Sequence, residues 1–503
     1  MLYKPSRGRF KDNCVFWHNN RYYLFSMYSK ELGGSDQTCY HVWLATSCDG
    51  VHWKDIGPVI EDAPFLIYAM AVHQVEDRFI LNHGSFTAPG KQNVIRFWES
   101  KDLETWTWMG EEFDLKPDAR WYDPDSRLDC MNVIEKKEGD TTKYYGYATG
   151  VGGFLHSDDG IHWDGMPHPK IEWQGIPAPR TLKGDGYFEV GGCHEINGKY
   201  YWLGGWTNYQ GYFGYGVYTF IGDTPTGPFR PDPIAYRLCG NSERWVSLWA
   251  RYCRTDQELL ISSYMYDGYT YERGATWMPL LKKAVVDKHE HLRLGYWSGN
   301  DAVKGKCIAI SLENCIMEYP AKKDAKIEVS GNQIKIEAIP EKYSFERTDL
   351  STTIVFLNNN FDMGKGIVLE GSLQATCKRE WVSPDIGFCL EEKNQEGTAI
   401  MLETSGLTQI GRLNWKDRIA FECEDRIGFG CAAVAGITPH EFHTFRLFIR
   451  KNMFELYIDD MLIQTFNTTH KLESIGLTPQ RIGFIVQNGR GIFKDIKAWQ
   501  MNL

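Results

Sequence analysis

The chain has 503 residues, 14% of them aromatic, with 49 glycines, 13 cysteines and a formal net charge of −10. That length supports a large core and two or more domains. The charge, carried without a basic stripe, excludes an electrostatic footprint for nucleic acid. No segment approaches the roughly 18 consecutive apolar residues of a membrane span.

Met1-Leu-Tyr-Lys-Pro-Ser-Arg7 lacks the apolar run of a signal peptide, which points to a cytoplasmic protein. The first clear pattern is Gly8-Arg-Phe-Lys-Asp12-Asn-Cys-Val-Phe-Trp17, then His-Asn-Asn and Arg21-Tyr-Tyr-Leu-Phe25. Aromatic and β-branched runs around turn formers predict strands over Cys14 to Trp17 and Tyr22 to Tyr28, with Asp12 just ahead of the first. Asp123-Pro-Asp-Ser-Arg127-Leu-Asp129-Cys-Met-Asn-Val-Ile134 again sets a carboxylate before a strand, and Tyr144-Tyr-Gly-Tyr-Ala148 supplies the return strand. A third copy, Tyr187-Phe-Glu189-Val-Gly-Gly-Cys193, leads through Asn197-Gly198 to Tyr200-Tyr-Trp-Leu203.

A second repeat runs alongside. Ser47-Cys-Asp-Gly-Val-His-Trp53, Ser100-Lys-Asp-Leu-Glu-Thr-Trp106 and Ser157-Asp-Asp-Gly-Ile-His-Trp163 share Ser-x-Asp-x-x-x-Trp and start 53 and 57 residues apart. That period fits propeller blades, one four-stranded sheet of about 40–50 residues or slightly more per unit. The Asp of each repeat reads as a turn residue bonding local amides, and the Trp as packing between blades. Asp223-Thr-Pro-Thr-Gly-Pro-Phe229 resembles a fourth copy, and strands at Leu248 to Cys253, Glu258 to Tyr266 and Ala275 to Leu281 complete a fifth blade.

The blade pattern fades after Asp287, and Ser298-Gly-Asn-Asp-Ala-Val-Lys-Gly305 is polar and turn-rich. Beyond it, Thr444-Phe-Arg-Leu-Phe-Ile-Arg450, Met453-Phe-Glu-Leu-Tyr-Ile-Asp459 and Arg481-Ile-Gly-Phe-Ile-Val486 alternate as strands with one buried face. The expected fold is therefore all-β: a five-bladed β-propeller over 1–297, a linker over 298–320 and a C-terminal β-sandwich over 321–503.

Thirteen scattered cysteines without a Cys-x-x-Cys pair read as free, mostly buried thiols, so neither a disulfide framework nor a structural zinc is expected. His194, between Cys193 and Glu195, does not make a ligand cluster, because strand neighbours point to opposite faces. No metal and no cofactor are expected. A lone acid at a strand entrance is ordinarily a turn cap, but Asp12, Asp129 and Glu189 recur in blade register and become the candidate catalytic trio. Asp123 and Asp125 compete for the third role, and Asp123 and Arg127 are further candidates for substrate contact. Trp17, Trp121, Trp206 and Trp245 are candidates for stacking on a sugar face.

These residues resemble glycoside hydrolase families 32 and 43, whose catalytic domain is a five-bladed propeller with three acids at its central funnel. Glu189 with Asn197-Gly198 and Tyr200-Tyr-Trp-Leu203 is similar to the family 43 general-acid pattern. Asp12 with Tyr22-Tyr-Leu-Phe25 resembles the family 32 Asn-Asp-Pro-Asn-Gly opening and its Tyr-His-Leu-Phe tail, and Asp129 resembles the Asp of Arg-Asp-Pro, with Arg127 displaced by one residue. Propeller plus sandwich is the layout of family 32, the β-fructosidases, and Phe454-Glu-Leu-Tyr-Ile-Asp459 is similar to their Val-Glu-Val-Phe-x-Asn-Asp strand. Val190 stands where family 32 has the Cys of Glu-Cys.

The resemblance implies an exo-acting, retaining furanosidase working on a fructan-like oligosaccharide or glycoside. Asp12 would be the nucleophile, Glu189 the general acid/base, and Asp129 the stabiliser of an oxocarbenium-like transition state. The apolar neighbours of Glu189 are suited to raising its pKa. Two other readings stand beside it: an inverting family 43-like arabinofuranosidase or xylosidase, and a carbohydrate-binding propeller without catalysis.

Overall fold

The computed structural model describes residues 1–29, 39–88, 90–150, 153–176, 178, 189–207, 214–269, 274–319, 326–338, 351–376, 383–416, 419–433, 436–471, 473 and 475–503. The chain divides into two compact units. The first contains 1–240, 247–265 and 275–300, and the second contains 241–246, 266–274 and 301–503.

The first unit is a five-bladed propeller. Blade 1 is the antiparallel sheet Arg9–His18, Arg21–Ser29, His41–Ser47 and Lys54–Ile60. Blade 2 runs from Tyr68–Val75 to Thr107–Trp108, blade 3 from Leu128–Glu138 to Asp164–Met166, and blade 4 from Glu189–Ile196 to Phe229–Pro231. Blade 5 begins with Ser247–Arg254 and Leu259–Tyr266 and ends with Leu292–Tyr296. The first strand of each blade packs against the first strands of its two neighbours, and blade 1 returns to blade 5, so the ring closes. A main-chain pair fastens the closure: the Leu2 amide donates to the Met278 carbonyl at 2.8 Å and the Met278 amide to the Tyr3 carbonyl at 2.7 Å.

The Ser-x-Asp-x-x-x-Trp repeats form the same turn three times. Asp49 Oδ1 accepts the amides of Val51 and His52, Asp102 Oδ1 those of Glu104 and Thr105, and Asp159 Oδ1 those of Ile161 and His162. These acids are committed to local backbone, as their spacing predicts. Trp106 is buried with Phe25 and Leu81 between blades 1 and 2. Every described cysteine is a free thiol, and Cys14, Cys130, Cys193 and Cys253 are buried.

The second unit is a β-sandwich. One sheet orders Met461–Asn467, Met453–Ile458, His443–Arg450, Ile367–Thr376, Gly489–Met501, Gln333–Ala338 and Lys326–Ser330; the other runs from Ile316–Tyr319 through Thr352–Phe356, Arg481–Gln487 and Asp385–Lys393 to Ala420–Ile427. Their inner faces share one core, with Phe388 against Phe445 at 4.9 Å and Phe484 stacked on Phe493 at 4.1 Å between ring centroids. The stretch expected as a linker contributes strands: Lys304–Ile308 pairs with Gly489–Met501, and Ile316–Tyr319 with Thr352–Phe356. Among the described residues no helix is long and apolar enough to cross a membrane.

A buried ionic cluster holds part of this second unit. His470 lies 3.3 Å from both Glu392 and Glu424, Glu424 also pairs with Arg244, and Arg244 donates to Asn467 Oδ1 at 3.1 Å. Burial alone would lower the His470 pKa, but hydrogen bonds to the two glutamates outweigh it and raise the group to about 9. A folded-state pKa above the ordinary ~6.5 means that folding favours the protonated ring. The stabilisation is complete below about pH 6.5 and disappears as pH rises through about 9. His470→Gln is expected to cost about 3–5 kcal/mol near neutral pH by leaving buried carboxylates short of a cation. Urea unfolding at pH 6 and pH 9.5 checks this, because the gap between wild type and variant should shrink at the higher pH.

Candidate active site

The three candidate acids come from the innermost strands of blades 1, 3 and 4, all near the strand beginnings. Asp12 is buried within Arg9–His18, rather than ahead of the strand as its sequence context predicts. Lys11 pairs with Met27 and Cys14 with Phe25, so Asp12 and Asn13 together oppose Ser26. That extra residue is a β-bulge, and Asp12 adopts φ 49° there. Asp tolerates the left-handed region at a cost of about 1 kcal/mol, and the bulge re-aims its side chain. Similar irregularities occur at Ala69 (φ 46°) in blade 2, Gly192 (φ 101°) in blade 4 and Trp249 (φ 53°) in blade 5. The tear is thus a recurring blade feature, and in blade 1 it carries a carboxylate. The Tyr264 hydroxyl donates to Asp12 Oδ1 at 2.7 Å.

Asp129 is the second residue of Leu128–Glu138 and is fully buried. Arg127 grips it with two parallel hydrogen bonds, Nε to Oδ1 at 2.8 Å and Nη2 to Oδ2 at 2.5 Å, and the Gln92 amide also donates to Oδ1. Such a bidentate charged pair fixes both the carboxylate plane and its charge. The strand itself is seated by Asn82, which takes the Met131 amide at 2.8 Å and gives to the Met131 carbonyl at 3.0 Å. Gly84 permits that approach, since a Cβ there would lie 2.3 Å from the Asp129 carbonyl oxygen.

Glu189 opens Glu189–Ile196 and pairs with Gly205. It keeps some accessible surface, yet burial is the largest influence on its carboxyl and raises its pKa. The Arg127 charge opposes the rise, Asp12 adds to it, a hydrogen bond from Tyr215 lowers it, and Asp129 raises it further. Glu189 therefore lies within electrostatic reach of both other acids. Its environment favours the protonated form, whereas Asp129 is locked to a guanidinium. Gly205 makes room for the Tyr215 phenol: a Cβ there would sit 1.9 Å from its oxygen. Gly205→Ala should displace the phenol and destabilise the propeller by about 1–3 kcal/mol through overpacking; an unchanged melting temperature would show that this packing is not tight.

Arg251 is fully buried and stacked on the Trp249 ring at 4.2 Å. It donates to Cys130 Sγ at 3.0 Å and to the Met70 carbonyl, and its charge acts on Asp12. Burial pushes the Cys130 thiol up to about 11, so it remains protonated at neutral pH.

Two of the aromatic candidates, Trp17 and Trp206, are not gathered with the acids. Trp17 pairs with Tyr22 beside the hairpin turn, five residues and about 16 Å along the strand from Asp12. Trp206 is buried in the core of blades 3 and 4, its ring 5.7 Å from Tyr218 and 5.8 Å from Phe220, so no face is open to a sugar. Trp245 falls in 241–246, which groups with the second unit. Trp121 is 44% exposed, on the loop that leads into Leu128–Glu138. Asp123 is exposed and accepts the Asp125 amide at 2.9 Å, which is a turn residue's work, and Asp125 pairs with Lys91 at 2.8 Å. Tyr187 and Phe188, read from sequence as part of the third copy, lie outside the described residues. Sequence reasoning missed Gln92, Tyr215, Arg251 and Tyr264. Each reaches its acid or its acid's neighbour from another part of the chain, Gln92 from a loop and the other three from strands, and no local motif marks them.

No protein-family model and no curated protein sequence matches this chain. Solved structures do. The chain is similar to the Bombyx mori GH32 β-fructofuranosidase BmSUC1, with TM-score 0.63 and 13% identity over 99% of this chain and 92% of that one. It is similar to fructan 1-exohydrolase IIa from Cichorium intybus, with TM-score 0.66 and 11% identity over 100% and 96%. It is also similar to sucrose-6-phosphate hydrolase from Lactobacillus gasseri, with TM-score 0.64 and 14% identity over 98% and 91%. The fold is that of the family 32 glycoside hydrolases, a propeller followed by a β-sandwich.

Proposed function

We propose that this protein is a retaining, exo-acting glycoside hydrolase that removes a terminal furanose, a fructosyl unit first among candidates, from an oligosaccharide or glycoside. The observation that carries the reading is the convergence of three acids in different electrostatic states. Asp129 is bound bidentately by Arg127, Glu189 is raised by burial, and Asp12 sits on a bulge with a phenol on one oxygen. An acid that burial keeps protonated, set beside further carboxylates, is what acid-assisted glycosidic cleavage needs. The structural neighbours include complexes of a fructofuranosidase with sucrose and of a fructan exohydrolase with 1-kestose, which makes fructosides the first substrates to try.

In this reading Glu189 gives its proton to the leaving oxygen while an Asp12 oxygen attacks the anomeric carbon from the opposite face. Glu189, now ionised, takes a proton from water, and that water displaces Asp12. Asp129, held by Arg127, accepts sugar hydroxyls and stabilises the positive charge that develops on the ring. Incubation with sucrose, 1-kestose and inulin, followed by chromatography, tests the proposal. Monosaccharide should appear one unit at a time. Early mid-length products would remove the exo-acting pocket, and no hydrolysis of any furanoside, fructosides and arabinofuranosides included, would favour a propeller that only binds carbohydrate.

A further inference from the structure

Asp12 and Tyr264 are 252 residues apart and meet at 2.7 Å, both side chains buried. Tyr264 lies on Leu259–Tyr266, the second strand of blade 5, and pairs with Leu248 next to the bulge at Trp249. The first strand of blade 5 adjoins the first strand of blade 1, so two neighbouring bulged strands bring the phenol onto the carboxylate. A hydrogen bond from a neutral phenol to a carboxylate is short and strong, and burial strengthens it further.

We propose that Tyr264 is a positioning residue for Asp12: by holding Oδ1 it fixes the carboxylate plane, keeps the group ionised and aims Oδ2 at the anomeric carbon. The proposal rests on the reading of Asp12 as nucleophile. In the first step the Asp12 Oδ2–carbon bond forms, the carbon–leaving oxygen bond breaks, and the Glu189 proton goes to the leaving oxygen. Asp12 becomes an ester, and Oδ1 becomes a carbonyl oxygen that accepts the phenol more weakly. In the second step water adds its oxygen to the anomeric carbon, Glu189 takes the water's proton, and Asp12 departs as a carboxylate that the phenol again stabilises. Tyr264 thus favours departure of Asp12 over its attack. Among the described residues, the other charged and titratable groups bearing on Asp12 include Arg251 on blade 5 and Glu189 and Tyr215 on blade 4. All of them remain in a Tyr264→Phe protein.

The test is isotope-edited infrared titration of protein with labelled aspartate carboxyls, the Asp12 band being assigned by its loss in Asp12→Asn. In Tyr264→Phe the titration midpoint of Asp12 should rise by about one pH unit, as loss of one hydrogen bond to a charged group predicts. Steady-state turnover on sucrose should fall at least tenfold with KM unchanged or lower, because the second step is slowed more than the first. An unmoved midpoint in folded Tyr264→Phe overturns the proposal. Should that variant not fold, 3-fluorotyrosine at position 264 keeps the ring and makes a stronger donor; the midpoint must then fall, and a constant midpoint again overturns the idea. A moved midpoint in a protein that hydrolyses no furanoside would leave the hydrogen bond's role standing while removing the fructosidase reading.

Discussion

Asp12→Asn is expected to lower kcat by about 10⁴-fold or more, the scale seen when a covalent nucleophile is lost. The fold should survive, because Asn is as much at home as Asp at φ 49°, and its side-chain oxygen still accepts from Tyr264. Thermal melting within about 2–4 °C of wild type would confirm that the loss is chemical. A smaller side chain sharpens the result: Asp12→Ala leaves room for azide, which should restore turnover from the same face and give a glycosyl azide of inverted configuration. If Asp12→Asn keeps more than about a tenth of wild-type kcat, the deficit is under 1.4 kcal/mol and Asp12 is not the nucleophile.

Glu189→Gln should produce the second large effect, and one that depends on the leaving group. Burial, chiefly, holds the Glu189 carboxyl above its usual range, so the acid stays protonated to higher pH than a surface glutamate of pKa ~4.3. The alkaline limb of kcat/KM should therefore lie above that value, with activity falling as pH rises through it. In Glu189→Gln, cleavage of sucrose should drop about 10³-fold or more and the alkaline limb should vanish, since general acid catalysis supplies about 10²–10⁴ in rate. An aryl furanoside whose leaving group needs no proton should lose far less in its first step. Equal losses on both substrates would show that Glu189 is not the acid.

The blade plan could be read from the chain because its determinants are local. The Ser-x-Asp-x-x-x-Trp turns bond to amides two and three residues away, and those bonds are present at Asp49, Asp102 and Asp159. The bulge at Asp12 was not legible. Asp signals a turn, so the local sequence starts the strand at Cys14, whereas pairing resumes on the near side of the bulge from Lys11 back to Arg9. Burial of Trp206 was equally hidden, because alternation tells which face a side chain takes but not whether a neighbouring blade covers it. Lys304–Ile308 looked like a linker by composition and became a strand through a partner almost two hundred residues later. Arg251 and Tyr264 escaped for the same reason: what makes them part of the site is the closure of the ring.

Trapping the covalent intermediate tests the central claim most directly. Glu189→Gln mixed with an activated aryl fructofuranoside lacks the base for the second step and should accumulate a glycosyl-enzyme. Proteolysis and mass spectrometry should then find one hexosyl unit on the peptide that contains Asp12. Turnover without any such adduct, accompanied by a first product of inverted configuration, would contradict the account and make Asp12 a base that activates water.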